Sequence, residues 1–313
     1  MKDVCVIVRS VHERTEESCI QIAKSQLVAR NNLFVIRDKP FAEAHIESVQ
    51  LAVNSNCKWA IFLDADVLLR RNAIASMVLE AENIPLDFYM LNFRILDRGF
   101  GGPAYGIHLY NGNSLKRATE LLDTIKNDQR PESRLCREVA KHFKIPTLRS
   151  PNLMGLHGFF QFYADLYRTM FVRSVKFSSI RDQLIQYYRE IYFHPELAND
   201  PAEDKVNFWG LIDGLVFSTS QNYAPLDKNF YTEKSLQVLN FLGIQEKLPL
   251  GNIDCVQIEK TIETFRLSSV YSNIQKKVCP VDSVECAPPV HPLLRRFKRL
   301  VSLLQKRVSQ KAQ

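Results

Sequence analysis

The stretch Trp59-Ala60-Ile61-Phe62-Leu63-Asp64-Ala65-Asp66 decides the fold class of this chain. Its first five residues are apolar, which predicts a short strand buried on both faces that ends at the aspartates. The runs Val4–Val8 and Leu33–Ile36 are also short, apolar and β-branched. Between these runs, over 16–30 and 41–54, apolar residues recur at helical spacing.

Strands that alternate with helices predict βαβ units, whose parallel strands form a sheet that the helices cover. We therefore expect an α/β fold: a Rossmann-like, mixed but mostly parallel sheet with flanking helices, plus a mainly helical C-terminal region. Further strands are predicted at Phe88–Leu96 and Tyr105–Tyr110, helices at 72–82, 114–127, 133–143 and 166–190, and a loop at Pro151–Phe160.

The net charge of +7 comes from the C-terminal end of the chain. Residues 287–313 hold seven of the 41 Lys and Arg residues and no acid, so the other 34 basic residues balance the 34 acidic ones. Such a balance gives no basis for a nucleic-acid-binding body, and we expect no nucleic-acid partner. The seven cysteines include no Cys-x-x-Cys pair, which argues against a zinc finger. We expect reduced thiols, with a Cys279–Cys286 disulfide as the minor alternative.

Residues 293–311 place their apolar side chains on about a third of a helical wheel and most Arg and Lys elsewhere. This pattern is typical of a helix on an anionic membrane surface, while a helix docked on the body is the alternative. No stretch approaches the roughly 20 apolar residues of a membrane span, and the first residues do not read as a secretory signal. We expect a cytoplasmic protein, with this tail as a peripheral contact on the inner face of a membrane.

The pair Asp64 and Asp66 carries the chemistry. In an extended segment, residues two apart point to the same side, so both carboxylates can face one ligand. Hard divalent cations such as Mg²⁺ and Mn²⁺ prefer oxygen ligands and bridge to phosphate oxygens. The sequence therefore predicts a metal site after the third strand, and a solvated turn is the alternative.

Val4–Val8, Val35–Asp38 and Trp59–Asp66 together resemble the nucleotide-binding half of GT-A glycosyltransferases, family 2-like in particular, over about residues 3–82. A weaker likeness to uncharacterised bacterial glycosyltransferase-like proteins continues to about residue 175. The resemblance implies hexosyl transfer from a nucleotide-sugar, UDP- or GDP-linked, to a hydroxyl of a glycan, lipid-linked or protein acceptor. It also implies Mn²⁺ or Mg²⁺ as the cofactor.

The resemblance also assigns roles to residues at the strand ends. Asp66 would bind the metal, and Asp64 the metal or the ribose. Ser10 and Glu13, in the turn after the first strand, would contact the nucleotide, and Asp38 would meet its base.

Later residues complete the expected site. His157, in Leu-His-Gly, would join Asp64 and Asp66 as a metal ligand. If the transfer inverts configuration, a carboxylate must deprotonate the acceptor, and Glu132 and Glu138 are the candidates. Glu132 and Asp64 are the predicted catalytic residues.

The expected organisation has three parts: a catalytic domain over 1–190 (nucleotide-sugar half 1–100, acceptor half 101–190), a helical extension over 191–287, and the basic tail over 288–313. Two other functions stay open. Leu63-Asp-Ala-Asp-Val67 also resembles the motif of haloacid-dehalogenase-like phosphatases, where Asp64 would be the nucleophile. A non-catalytic membrane-surface protein with a degenerate nucleotide-sugar fold is the third possibility.

Overall fold

A computed structural model describes residues 3–27, 29–128, 130–176, 181–193, 200–220 and 228–267. The basic tail over 288–313, with its expected membrane contact through 293–311, lies outside the described residues, as do Cys279 and Cys286. The chain divides into two compact units, of which the first runs to Gln161 and takes in Pro249–Arg266, and the second covers Phe162–Leu248.

The first unit is built on a seven-stranded sheet. Its strands, in chain order, are β1 Val4–Ser10, β2 Leu33–Arg37, β3 Trp59–Asp64, β4 Val67–Leu69, β5 Met90–Asp97, β6 Gly102–Asn111 and β7 Thr147–His157. Its α-helices are α1 Glu16–Gln26, α2 Phe41–Asn54, α3 Ala73–Glu82, α4 Gly112–Ala118 and α5 Pro131–Phe143, with Cys255–Leu267 forming α10. Two 3₁₀ segments, Arg30–Asn32 and Thr119–Ile125, complete the described helical turns of this unit.

The strands lie in the order β2-β1-β3-β6-β5-β7-β4. Five of the seven run in one direction, and β6 and β4 run in the other. The predicted mixed, mostly parallel sheet with flanking helices is therefore confirmed. The carboxyl ends of β1, β2, β3, β5 and β7 meet at one edge of the sheet, here called the rim, where ligands bind in folds of this kind.

The apolar runs form strands because the sheet is covered. Every residue of β1 is buried, as are the first five of β3. On one face Ile7 and Phe62 join a core with Val49 of α2 and Leu135 of α5. Burying these side chains drives the assembly of the layers and fixes where each strand ends.

The prediction of a loop over Pro151–Phe160 is wrong for the first part of this segment, because β7 continues to His157. Its pairing with β5 shifts register between Arg149 and Leu153, so Pro151 lies at an irregularity, where a missing N–H costs no ladder bond. The end of β7 also pairs with β4, whose short strand was not predicted. Gly155 permits this approach, since a Cβ there would stand 2.4 Å from the carbonyl oxygen of Leu68.

The second unit is helical over its described residues, which confirms the mainly helical C-terminal region. Its helices are α6 Tyr163–Lys176, α7 Arg181–Phe193, α8 Pro201–Ser220 and α9 Lys228–Leu242. Its core includes Tyr167, Phe171, Trp209 and Leu239. The helix predicted over 166–190 corresponds to α6 and α7, and residues 177–180 between them lie outside the described residues. Among the described residues, no helix combines the length and apolar character needed to cross a bilayer.

Candidate active site

His157 lies where three strands come together at the rim. The sheet register sets it beside Val67 of β4 on one side and Asp97 of β5 on the other. Asp66 immediately precedes β4, so the same pairing brings it next to His157. The chain then turns at Gly158, whose φ of +73° suits glycine and whose N–H donates to the carbonyl oxygen of Asp66 at 3.1 Å.

The imidazole of His157 stands between two carboxylates. Its Nδ1 is 2.7 Å from Oδ2 of Asp97, and its Nε2 is 3.3 Å from Oδ2 of Asp66. Burial disfavours the charged ring, but the two carboxylates outweigh it and raise the pKa of His157 to about 10. In the absence of a ligand this cluster therefore holds a proton at neutral pH.

Asp64 has a different partner, the buried guanidinium of Arg9. Nε and Nη2 of Arg9 lie 2.9 and 2.8 Å from Oδ1 of Asp64. Nη1 of Arg9 donates to Oε1 of Glu132 at 2.8 Å, which joins β1, β3 and the first turn of α5. Both contacts with Asp64 use the same oxygen, so its Oδ2 lies outside the ion pair.

The carboxylate of Glu132 lies among one arginine and two histidines. Nδ1 of His45 and Nε2 of His108 each lie 3.6 Å from its carboxylate, in addition to Arg9. Burial opposes ionisation, but Arg9 and the two histidines lower the pKa of Glu132 far below its usual range. Glu132 is thus a stable carboxylate of low basicity while Arg9 holds it, and its role as a base stays a prediction. Glu138, the other candidate, pairs with Arg134 and His142 of its own helix.

The predicted nucleotide-contacting residues share the turn after β1. Oγ of Ser10 is 2.9 Å from Oε2 of Glu13, and the N–H of Val11 donates to that same oxygen at 2.8 Å. The N–H of Asp38, past β2, donates to the carbonyl oxygen of Ser10 at 3.0 Å. Burial and the nearby Asp66 raise the pKa of Glu13 to about 7. The structure thus gathers Ser10, Glu13 and Asp38 at the rim that also holds the two aspartates.

Hydrogen bonds fix the residue between the two aspartates. The N–H of Ala65 donates to the carbonyl oxygen of Arg9 at 2.9 Å, and its own carbonyl oxygen accepts from Oγ1 of Thr15 at 2.8 Å. Nε2 of Gln161 donates to Thr15 at 2.7 Å. Three segments of the rim are therefore held in one arrangement.

The GT-A resemblance implies a divalent cation, and the donor atoms at Asp66 and His157 fit one. The described residues contain no group of three His, Cys, Asp or Glu side chains that could by itself hold a metal ion. Mg²⁺ and Mn²⁺ sites in phosphate chemistry often use one or two protein ligands and take further oxygens from the substrate and water. Asp97 behind His157 matches the carboxylate that orients a metal-ligating histidine.

Two residues of this site were not predicted. Arg9 is a lone cation in an apolar strand, and Asp97 closes another apolar run. The rule that directed attention to Asp64, a polar residue where a buried strand ends, also applies to Asp97. The partners of Arg9 follow only from the sheet register and the position of α5.

Neither family models nor curated proteins match this chain. Among solved structures it is similar to a glycosyltransferase involved in glycosylation of the major capsid of PBCV-1, at 8% identity and a TM-score of 0.37, over 50% of this chain and 93% of that one. It is similar to the mannosyltransferase PcManGT from Pyrobaculum calidifontis, solved with GDP-Man and Mn²⁺, at 11% identity and a TM-score of 0.35, over 88% and 83% of the two chains.

A cytidylyltransferase from Leptospira borgpetersenii is similar over 48% of this chain and 76% of that one, at 12% identity and a TM-score of 0.32. The three proteins are named as glycosyl- or nucleotidyltransferases. At these identities and TM-scores, the function of this chain is inferred from the side chains at its own rim.

Proposed function

We propose that this protein is a divalent-metal-dependent glycosyltransferase that moves a hexose from a UDP- or GDP-linked donor to an acceptor hydroxyl. The observation that carries the proposal is the set Asp66, His157 and Asp97, assembled at the carboxyl ends of parallel strands beside Asp64. The diphosphate of a nucleoside diphosphate is the group whose oxygens would complete such a partial metal shell.

Asp66 and His157 would hold the metal, and Asp97 would orient His157 through Nδ1. When bound, the cation supplies a Lewis acid that stabilises the charge on the leaving diphosphate. His157 must lose its Nε2 proton to become a ligand, and solvent takes that proton. Glu13, close enough to Asp66 for their charges to interact, would contact the nucleotide.

Arg9 would fix Asp64 through Oδ1 and leave Oδ2 to accept a hydrogen bond from a donor hydroxyl, or to join the metal. Ser10 and Asp38 would line the nucleotide beside it. Glu132 is the proposed base of an inverting transfer. Because Arg9 lowers the pKa of Glu132, its basicity rises only when a substrate takes over the Nη1 of Arg9. We therefore expect Glu132 to act in the complex with both substrates.

A thermal-shift panel tests the donor site. UDP-, GDP-, CMP- and dTDP-linked sugars are added to the full chain with and without Mn²⁺. We expect one nucleotide class to raise the melting temperature only when Mn²⁺ is present, and Asp66→Asn to lose that shift. Asp123→Asn is the matched control, because Asp123 is exposed and pairs with Lys126 away from the rim.

Stabilisation by none of the donors would contradict the proposal. If the protein instead hydrolysed p-nitrophenyl phosphate and Asp64→Asn abolished that activity, the phosphatase alternative would replace it. Stabilisation by a donor without any turnover in the presence of glycan, lipid-linked or protein acceptors would favour the non-catalytic alternative.

We also propose that the segment 293–311 places the enzyme on an anionic membrane surface, next to a lipid-linked or envelope acceptor. Its apolar side chains would enter the interface and its Arg and Lys would meet lipid phosphates. Co-sedimentation with vesicles of phosphatidylglycerol and phosphatidylcholine tests this. Replacing Arg295, Arg296, Lys298 and Arg299 by Gln should reduce binding, and equal binding would refute it.

A further inference from the structure

A second polar surface lies on the sheet face that carries Arg9 and Asp64. It consists of Asn92 and Arg94 of β5, Tyr105 and His108 of β6, and Arg149 of β7, here called the basic strip. Asn92 is paired with His108 and with Arg149, and Arg94 is paired with Tyr105. A register shift between the two pairs inserts one extra residue in β6, so that Tyr105 and His108 share a face.

Two guanidinium groups converge on one aromatic ring in this strip. Cζ of Arg94 lies 5.6 Å, and Cζ of Arg149 5.1 Å, from the centre of the Tyr105 ring. Arg149 is exposed and Arg94 is half-buried, and Arg94 forms no ion pair with any described residue. Stacking on the Tyr105 ring holds the Arg94 guanidinium in place without using its in-plane N–H groups, and these match the oxygens of a phosphate.

Polar atoms without partners mark the same strip. Oδ1 of Asn92 and Nδ1 of His108 are buried and have no hydrogen-bond partner among the residues that the structure describes. They belong to a cross-strand pair, so the unused hydrogen-bonding capacity is local. Buried polar atoms are normally satisfied, and hydroxyl groups of a bound ligand are one way to satisfy these after small side-chain shifts.

The strip continues directly from the proposed donor site. His108 is paired with Phe62 of β3, and Asp64 follows two residues later on the same face. His108 also lies 3.6 Å from the carboxylate of Glu132, the proposed base. A molecule on the strip would therefore present its hydroxyls beside the groups proposed to perform the transfer.

We infer that the basic strip is the acceptor site and that the acceptor is a phosphorylated saccharide. The two arginines would bind the phosphate, and Asn92 and His108 would bind sugar hydroxyls. The role of this ligand as the acceptor rests on the proposed function, whereas the binding of a sugar phosphate at the basic strip does not. Charge complementarity favours an anionic ligand, because Arg94 has no ion-pair partner among the described residues and a second guanidinium stacks on the same ring.

Isothermal titration of the full chain tests this inference. The probes are mannose 6-phosphate, glucose 1-phosphate and N-acetylglucosamine 1-phosphate, each beside its unphosphorylated sugar and beside inorganic phosphate. We expect at least one sugar phosphate to bind more tightly than both its sugar and inorganic phosphate. Arg94→Gln and Arg149→Gln should each weaken that binding about tenfold or more, as expected for the loss of a charged hydrogen bond.

Arg117→Gln is the matched control, because Arg117 also stacks on an aromatic ring, at 4.5 Å from that of Phe143, but lies outside the strip. It should bind as the wild type does. Circular dichroism checks that all variants fold, and Arg94→Lys, which keeps the charge but loses the planar fork, should fall between the wild type and Arg94→Gln.

Three results would overturn the inference: no binding across the probes, equal binding by Arg94→Gln and the wild type, or equal affinity for inorganic phosphate. The donor thermal shift, measured in parallel on the wild type, separates the two proposals. A donor shift without sugar-phosphate binding would reject the acceptor class alone. Arginine-dependent sugar-phosphate binding without a donor shift would reject the glycosyltransferase and leave the strip as a binding site.

Discussion

Asp64 and Asp66 stand two residues apart, yet their carboxylates face two cations of different acidity. Asp66 faces His157, a group that can release its proton and become a metal ligand. Asp64 faces Arg9, a cation that stays charged at any working pH. On the proposed function, the half of the site around Asp66 would exchange a proton for a metal, whereas the half around Asp64 would keep its ion pair.

The difference shows that the same residue type at a strand end can have two different electrostatic environments in one site. Near Asp66, two carboxylates surround an exchangeable charge. Near Asp64, a permanent charge is shared with Glu132 and keeps the carboxylates of β3 and α5 together. The following predictions test whether the two halves are really this different.

The largest effect is expected on stability, from Arg9→Met. This change leaves Glu132 with no permanent cation in a buried setting, and the free energy of unfolding should fall by about 3 kcal/mol. The double variant Arg9→Met/Glu132→Gln should recover most of the loss, because the more buried stranded charge is gone and the side chain of Asp64, the other partner of Arg9, is 40% exposed. Urea denaturation followed by circular dichroism measures both. Equal losses in the single and double variants would show that the ion pair is not the cause.

Next in size is the response of metal-dependent donor binding. Asp66→Asn should weaken Mn²⁺-dependent binding of the donor about a hundredfold, as expected for loss of a direct ligand. Asp64→Asn should weaken it about tenfold or less, since Oδ1 of Asp64 belongs to the Arg9 pair. Titration of Mn²⁺ at a fixed donor concentration compares the two variants. A larger loss in Asp64→Asn would contradict the proposal and place the metal at Asp64.

The pH dependence of Mn²⁺ affinity should separate the halves further. With the pKa of His157 raised to about 10, Mn²⁺ must displace a proton at lower pH. The affinity should rise by up to about tenfold per pH unit between pH 7.5 and 9, a window above the pKa of Glu13, which is about 7. Mn²⁺ titration followed by electron paramagnetic resonance measures this. His157→Gln should bind more weakly and with little slope, and an unchanged slope would contradict the assignment.

The last effects concern the stability of the metal-free protein, where the two histidines act at opposite ends of the pH scale. The pKa of His157 is raised, so the stability it gives is full below about pH 6.5 and is lost as the pH rises towards 10. Burial lowers the pKa of His45 to about 4. Between pH 6.5 and 4 the unfolded chain takes up a proton on His45 that the folded chain does not. The free energy of unfolding therefore decreases as the pH is lowered through this range.

Denaturation of the chelator-treated protein from pH 4 to 10 checks this pair. His157→Gln should flatten the alkaline side and His45→Gln the acid side. Each difference should change by at most about 1.4 kcal/mol per pH unit. A variant that shifts both sides equally would point to general loss of packing instead.

Sequence patterns predicted what depends on local order. The apolar run at Trp59–Leu63 predicted a buried strand, and the aspartates after it predicted a polar rim. The end of β7 was missed because Pro151 and Asn152 are typical of loops, and only the irregular pairing with β5 makes a strand possible there. His157 was proposed from a resemblance alone, whereas its position between Asp66 and Asp97 depends on two separate registers.

The ion pair of Arg9 depends on contacts that no local pattern contains. Its partners are 55 and 123 residues away in the chain. The basic strip is likewise spread over three strands, and it requires the extra residue in β6. The register of the strands and the placement of the helices determine these side-chain contacts, and both are set by the packing of the whole unit.

The separate cores of the two units give the chain two built-in fluorescence reporters. It has only two tryptophans, and each is buried in a different unit: Trp59 begins β3 and stacks on Phe88, and Trp209 belongs to the helical core. Units with their own cores can open at different denaturant concentrations. The Trp209→Phe variant keeps Trp59 and would report unfolding of the sheet unit, whereas the Trp59→Phe variant keeps Trp209 and would report unfolding of the helical unit. Binding of the donor or of a sugar phosphate should raise the denaturant midpoint only of the transition reported by Trp59.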